Sequence, residues 1–268
     1  MKIFYFTGTG NSLSVAKKIG GQLYSIAQVI KKGDTYFEDD SIGIVFPCHG
    51  VQVPAMVAEF LKKVELKSQY FFAIMTYGKF SGTALQELVS AMPKARNFNF
   101  HYVNEILMID NYLLRADINK ELEFEFKKSI DKNIALIIND IRCRKINSAP
   151  QKGFFTKILS SIKKFFFLVD GKNDINFRVD KSCINCGVCQ KVCPKGNILA
   201  KGKVSYFHNC DFCMACVHSC KLSAIHVKGE KNSKRYRNKL VALQEIIDSN
   251  NQNKTFSHSE KIEKQKAV

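Results

Sequence analysis

Ten cysteines occur in this 268-residue chain, and eight of them form two runs with one spacing, Cys-x2-Cys-x2-Cys-x3-Cys. The first run is Cys183, Cys186, Cys189 and Cys193, followed by Pro194; the second is Cys210, Cys213, Cys216 and Cys220. Four thiolates this closely spaced can wrap a compact iron–sulfur cube, whereas a structural zinc site needs only two separated pairs. Corresponding cysteines lie 27 residues apart and the flanks echo each other, "FRVDKSC…CPKGNILA" against "VSYFHNC…CKLSAIHV", so the runs are an internal repeat. Zinc binding and disulfides are the competing readings.

A second constellation stands at the other end. An apolar strand over 2–6 runs into Thr7-Gly8-Thr9-Gly10-Asn11-Ser12, and then into "LSVAKKIGGQL", where Leu13, Ala16 and Ile19 share a helical face. Strand, glycine-hydroxyl loop and helix in that order make an anion site: amides at the helix start point outward, glycines let a ligand approach, and hydroxyls add donors. No lysine follows the last glycine, which excludes a P-loop, and Leu13 stands where a dinucleotide fingerprint needs glycine. To position this loop, further strands are predicted at 41–47, ending in Pro47-Cys48-His49-Gly50-Val51, and at 70–76, ending in Tyr77-Gly78-Lys79-Phe80-Ser81-Gly82. Helical segments follow each, "PAMVAEFLKKV" and "TALQELVSAM". The alternation predicts an α/β doubly wound parallel sheet, whose ligands bind at the carboxyl ends of the strands.

The motifs "FTGTGNS", "IVFPCHG…VP", "TYG" and "DNY" (110–112), together with the two cysteine runs, make the chain resemble a flavodoxin–ferredoxin fusion of a kind common in anaerobic microbes. The resemblance implies a flavodoxin-like sheet followed by a small α+β two-cluster ferredoxin domain. It implies FMN gripped by Thr7, Gly8, Thr9, Gly10, Asn11 and Ser12, with Pro47, Cys48, His49 and Gly50 on one side of the ring and Thr76, Tyr77 and Gly78 on the other. Tyr77 is the candidate stacking aromatic. Family members often carry an aromatic or aliphatic residue where Cys48 and His49 stand. At the far end it implies two 4Fe–4S clusters with exchanged fourth ligands: Cys183, Cys186, Cys189 and Cys220 for one, Cys210, Cys213, Cys216 and Cys193 for the other. Lys221 replaces the proline expected after the last cysteine, which could alter the backbone near Cys220.

Organisation follows: a flavodoxin-like domain over 1–150, an amphipathic connector over 151–175, the two-cluster domain over 176–228, and a basic, partly disordered tail over 229–268. Residues 119–146 are expected as one long helix containing Cys143. The 154–169 segment gathers Phe154, Phe155, Ile158, Leu159, Ile162, Phe165, Phe166 and Val169 on one face, suited to packing between domains or, as the less favoured reading, to lying on a membrane surface. The formal charge of +17 falls to about +11 with both clusters and a flavin phosphate counted. That balance suits acidic soluble redox partners, and no nucleic-acid motif accompanies it. The chain opens directly on a strand with no leader ahead of it, and no eighteen-residue apolar run occurs, so a reducing cytoplasm is expected. The expected role is electron transfer between the clusters and FMN. The alternatives are an FMN-dependent oxidoreductase reducing a small organic acceptor, with His49 or Lys79 as proton donor, and an iron–sulfur redox sensor, for which no effector domain is visible.

Overall fold

The computed structural model describes residues 1–96, 98–149, 151, 153, 154, 156, 158 and 173–253. Most of the 154–169 segment and of the connector therefore lies outside the described residues, as do residues 254–268.

Strands β1 (Lys2–Tyr5), β2 (Gln22–Ser25), β4 (Ser41–Pro47), β6 (Tyr70–Tyr77) and β7 (Tyr102–Leu107) form one sheet in the order β2-β1-β4-β6-β7. Every neighbouring pair is parallel. Short β3 (Tyr36–Glu38) and β5 (Glu65–Lys67) pair apart from it. Among the sheet's five strands the order is 2-1-3-4-5, the flavodoxin-like arrangement, with its ligand crevice where the order reverses, between β1 and β4. The central strands are almost wholly apolar because helices cover both faces. Helices α1 (Asn11–Ile19) and α6 (Ile130–Arg142) supply Leu13, Val15, Ile134 and Ile137 to one face. Helices α2 (Ile26–Lys32), α3 (Ala55–Lys63) and α4 (Ala84–Arg96) supply Val29, Phe60 and Leu88 to the other. Gly43 in β4 leaves room for Phe72, whose ring fills the place of a side chain there.

The single helix expected over 119–146 is corrected. It is α5 (Ile118–Glu123), a 3₁₀ turn Glu125–Lys128, and then α6. The break is Ser129, in a left-handed conformation at φ 47°, which no regular helix accommodates. Cys143 caps the end of α6 and is exposed.

The cysteine runs sit in a small antiparallel unit. Strand β8 (Phe177–Val179) pairs with β11 (Ile225–Val227), and β9 (Ile198–Lys201) with β10 (Lys203–Tyr206); two helical turns, α7 (Val188–Lys191) and α8 (Ala215–His218), follow the cysteine loops. The sheet and this unit share a continuous core. Leu13, Val15 and Ile109 from the first pack in one apolar cluster with Val192, Met214 and Val217 from the second.

Of the tail expected to be partly disordered over 229–268, the described residues 229–253 pack onto the rest of the chain. Tyr236, Val241 and Ile246 are buried, and helix α9 (Leu243–Asn250) packs against α2 and α7. This strap crosses the sheet beside the glycine-hydroxyl loop, and Asn250 Nδ2 donates to the Thr7 carbonyl at 2.9 Å.

Candidate flavin and cluster site

The repeat seen in sequence is a repeat in backbone. Asn185 and Phe212 have φ 55° and 51°; Gly187 and Met214, 75° and 60°; Gly196 and Ser223, 60° and 53°. Each pair is separated by the 27-residue period. Positive φ at a bulky residue such as Phe212 or Met214 carries strain, retained here because the loop must turn its amides inward. The amides point at sulfur: Asn197 N donates to Cys193 Sγ at 3.3 Å and Ala224 N to Cys220 Sγ at 3.2 Å, one period apart. Phe212 N donates to Cys210 Sγ at 3.4 Å. Lys221, exposed, leaves this turn like its counterpart, so the missing proline does not alter it.

Electrostatics sort the thiols into two sets. Burial pushes the Cys189 thiol up to about 11, and the charges that add to it are those of Cys186, Cys183 and Cys220. Burial likewise pushes Cys210 to about 12, with Cys193 the first thiol acting on it, and raises Cys213 well above the thiol range, with Cys193 and Cys210 acting on it. The charge of Cys220 thus acts on the first run's Cys189, and that of Cys193 on the second run's Cys210 and Cys213. Buried thiols in this mutual repulsion ionise only when a cation compensates them, which bound iron supplies. Among the described residues, no three His, Cys, Asp or Glu side chains converge as ligands of one ion. The second set instead surrounds a cavity lined by Cys193, Cys210, Cys213 and Cys216 with Ile198, Tyr206 and Met214. The donor set and its spacing fit iron–sulfur cubes better than zinc.

Thr7, Gly8, Thr9, Asn11, Ser12, Pro47, Cys48, His49, Thr76, Tyr77 and Gly78 line one narrow cavity of about 80 Å³ at the carboxyl ends of β1, β4 and β6. This cavity adjoins a wider one of about 380 Å³, lined by Cys48, Gly50, Val51, Gly78, Lys79, Phe80, Asp110, Tyr112 and Arg115. Gly10 lines neither. At φ 98° it faces the strap, where an added Cβ would stand 3.0 Å from Val241 and 3.1 Å from Asn238. The hydroxyls of Thr7 and Thr9 act as acceptors, from Gly10 N at 3.0 Å and Asn111 Nδ2 at 2.6 Å, which leaves their own hydrogens to donate to an anion. Ser12 and Thr76 pair hydroxyl to hydroxyl at 2.9 Å. These donors suit a phosphate, and the adjoining wide cavity suits a flat ring.

Tyr77 lines only the narrow cavity, whereas Tyr112 lines both and stands edge-on to Phe212, 6.1 Å between centroids. Sequence reading quoted "DNY" without giving Tyr112 that place. His49 lies in a tight turn: its backbone exchanges both hydrogen bonds with Gln52 across Gly50 and Val51, both at positive φ. Burial lowers its basicity, opposed by Asp211, and Nδ1 is sealed without a partner. Asp110 shifts the other way, burial raising its carboxyl.

Two joints lock the halves together, and sequence reading missed both. Asn11 Oδ1 accepts from Tyr236 Oη at 2.7 Å and Asn238 Nδ2 at 3.2 Å, while Asn11 Nδ2 donates to the Ile109 carbonyl at 3.0 Å. His218, on α8, is held neutral by burial, its basicity pushed down to about 4. Its Nε2 donates to the Asn111 carbonyl at 2.8 Å and its Nδ1 accepts from Tyr236 N at 3.0 Å. Nothing local in "RYRN" marks these residues; Tyr236 and Asn238 take their roles at Asn11 from contacts more than two hundred positions away. Between the cavities, a side chain at Gly8 would run into the Cys213 carbonyl, and Cys213 and Met214 line both the narrow cavity and the thiol cavity.

No protein-family model matches the chain. An uncharacterized ferredoxin of Methanocaldococcus jannaschii is 40% identical over 68 residues, covering 22% of this chain and 84% of that protein. A putative flavoprotein of Bacteroides uniformis, known from its crystal structure, aligns with 16% identity and a TM-score of 0.29, covering 48% of this chain and 98% of its own. Among the described residues no helix is long and apolar enough to cross a membrane. Through its cysteine-bearing segment, with its paired runs and sulfur-facing amides, this chain belongs to the ferredoxins, joined to a flavodoxin-like sheet, and its role is redox electron transfer.

Proposed function

We propose that the protein passes electrons between two 4Fe–4S clusters and FMN. The observation that carries this reading is the shared wall: Cys213 and Met214 bound both the thiol cavity and the narrow cavity of the glycine-hydroxyl loop. When bound, the clusters relay single electrons and the flavin exchanges one or two. Cys183, Cys186, Cys189 and Cys220 would hold one cluster, and Cys193, Cys210, Cys213 and Cys216 the other. Thr7, Thr9 and Ser12 would hold the FMN phosphate, with Tyr112 and the 47–51 and 76–82 loops about the ring.

The chain also supplies an asymmetry. Cys186 is exposed, while Cys216 and Cys193 are buried. Exposed Lys181, Lys191 and Lys221 follow or precede ligands of the first set. That side suits docking of an acidic soluble electron carrier, since complementary charge steers encounter. The wide cavity supports a second reading, an FMN-dependent oxidoreductase reducing a small organic acceptor, because Lys79 and Arg115 flank its open space. Turnover of candidate acceptors by the loaded protein separates the two.

The first test is anaerobic purification with iron, sulfide and flavin analysis. About eight irons and one FMN per chain are expected; zinc in place of iron from an iron-replete host contradicts the proposal. The phosphate assignment has its own test in Thr9→Asp. A carboxylate about 4 Å from a phosphate in a half-wet site costs several kcal/mol. FMN affinity, measured by fluorescence titration, is therefore expected to fall at least about 100-fold with iron content unchanged. Unchanged affinity would show that the anion lies elsewhere.

A further inference from the structure

Tyr206 ends β10, and its hydroxyl is sealed from solvent with no hydrogen-bond partner. A buried hydroxyl left unpaired costs about 1–3 kcal/mol, so a folded chain keeps one only where something else completes it. The ring is held from the side by Phe177, edge-on with 5.8 Å between centroids, and Phe177 in turn stacks on Phe212 at 5.6 Å. This packing fixes where the hydroxyl stands. It stands among sulfurs. Tyr206 lines the cavity of the second thiol set. After burial, the groups that disfavour its ionisation are Cys216, Cys189 and Cys210, in that order, ahead of Asp174. Two of these belong to the second set and Cys189 to the first, so the hydroxyl lies where the sets approach each other.

We infer that Tyr206 is a tuning residue whose hydroxyl donates a hydrogen bond to a sulfur of an iron–sulfur cluster held by these thiols. The inference rests on the proposal that the thiols bind such clusters. A hydroxyl is both donor and acceptor, and the sulfurs of a metal cluster are acceptors only, so the polarity of the bond is fixed. Reduction adds negative charge to the cluster, and a donor aimed at sulfur stabilises the reduced form more than the oxidised. Hydrogen bonds to sulfur are among the levers that set such potentials. The backbone amides already noted act similarly at Cys193, Cys210 and Cys220; Tyr206 adds a side-chain donor that the first run lacks at its matching position, Val179.

The test is Tyr206→Phe, which removes one oxygen and keeps the ring that packs on Phe177. Potentiometric titration followed by EPR reads each cluster in the full-length, anaerobically purified protein. The variant is expected to keep about eight irons and to lose about two- to ten-fold in reduced-to-oxidised ratio for one cluster at a fixed potential. Ten-fold corresponds to 59 mV for one electron. Should the variant fail to load iron, the wild-type protein still decides. A slowly exchanging tyrosine hydroxyl proton with a hyperfine shift supports the bond, and its absence from the full set of assigned tyrosines overturns it. Eight irons in both proteins with identical potentials would overturn the Tyr206 assignment alone. Wild-type protein lacking iron would overturn the cluster reading, and this inference with it.

Discussion

Replacing Cys193 by serine is expected to remove the cluster of Cys210, Cys213 and Cys216 and to leave that of Cys183, Cys186 and Cys189 in place. The iron content should fall from about eight to about four per chain. The reason is the cavity that Cys193 lines together with Cys210, Cys213 and Cys216, while the charge of Cys220 acts on Cys189 of the other set. Double variants give the sharpest reading. Cys193→Ser with Cys210→Ser should lose no more iron than either alone, since both serve one cluster. Cys193→Ser with Cys183→Ser should lose nearly all of it. Because Cys213 and Met214 also wall the flavin cavity, the first pair should slow reduction of the flavin by an external one-electron donor far more than Cys183→Ser slows it. If Cys193→Ser and Cys183→Ser together strip only one cluster, each run binds its own iron and the exchange is wrong.

A chain ending at residue 231 is expected to lose FMN and to aggregate. The strap beyond that point buries Tyr236, Val241 and Ile246, at 6%, 3% and 0% exposure. Each such side chain contributes roughly 1.5–3 kcal/mol, an upper estimate because unfolded chains already bury part of this surface. Together they approach the ~5–15 kcal/mol margin of a whole domain. The strap also completes the anion loop, through Asn238 N to the Thr9 carbonyl at 2.9 Å and Asn250 to Thr7. The milder Tyr236→Phe should fold and bind flavin, losing about 1 kcal/mol by thermal denaturation, because Asn11 Oδ1 keeps its bond from Asn238. A truncated chain that stayed soluble with one FMN bound would show that the strap is dispensable.

Much of this arrangement was legible in the residues. The apolar strands over 2–6, 41–47 and 70–76 alternate with amphipathic helices, and that local pattern dictates a parallel sheet. The loop after the first strand lies where such sheets bind ligands. The cysteine spacing is local too, and the structure repeats it down to the backbone angles at Asn185 and Phe212. What was illegible depends on distance. Tyr236, Asn238 and Asn250 sit in a lysine-rich stretch whose composition reads as solvated tail, yet four long-range hydrogen bonds with Asn11, Thr9 and Thr7 make it part of the site. Tyr112 was visible but unplaced, since its role depends on the wide cavity beside it. The break before α6 was hidden for another reason: helical periodicity continues across 119–146, while the backbone leaves the α-helix after Glu123, tightens into a 3₁₀ turn and turns left-handed at Ser129.

The most direct measurement is a stepwise anaerobic reduction of the holoprotein, one electron at a time, read by visible absorption and EPR. The account predicts that reduced-cluster and flavin-semiquinone signals broaden each other, because Cys213 and Met214 border both cavities. Cys193→Ser should abolish that interaction and leave the semiquinone signal sharp. Independent, unbroadened signals in the wild-type protein carrying eight irons and one FMN would contradict a single electron path through this chain.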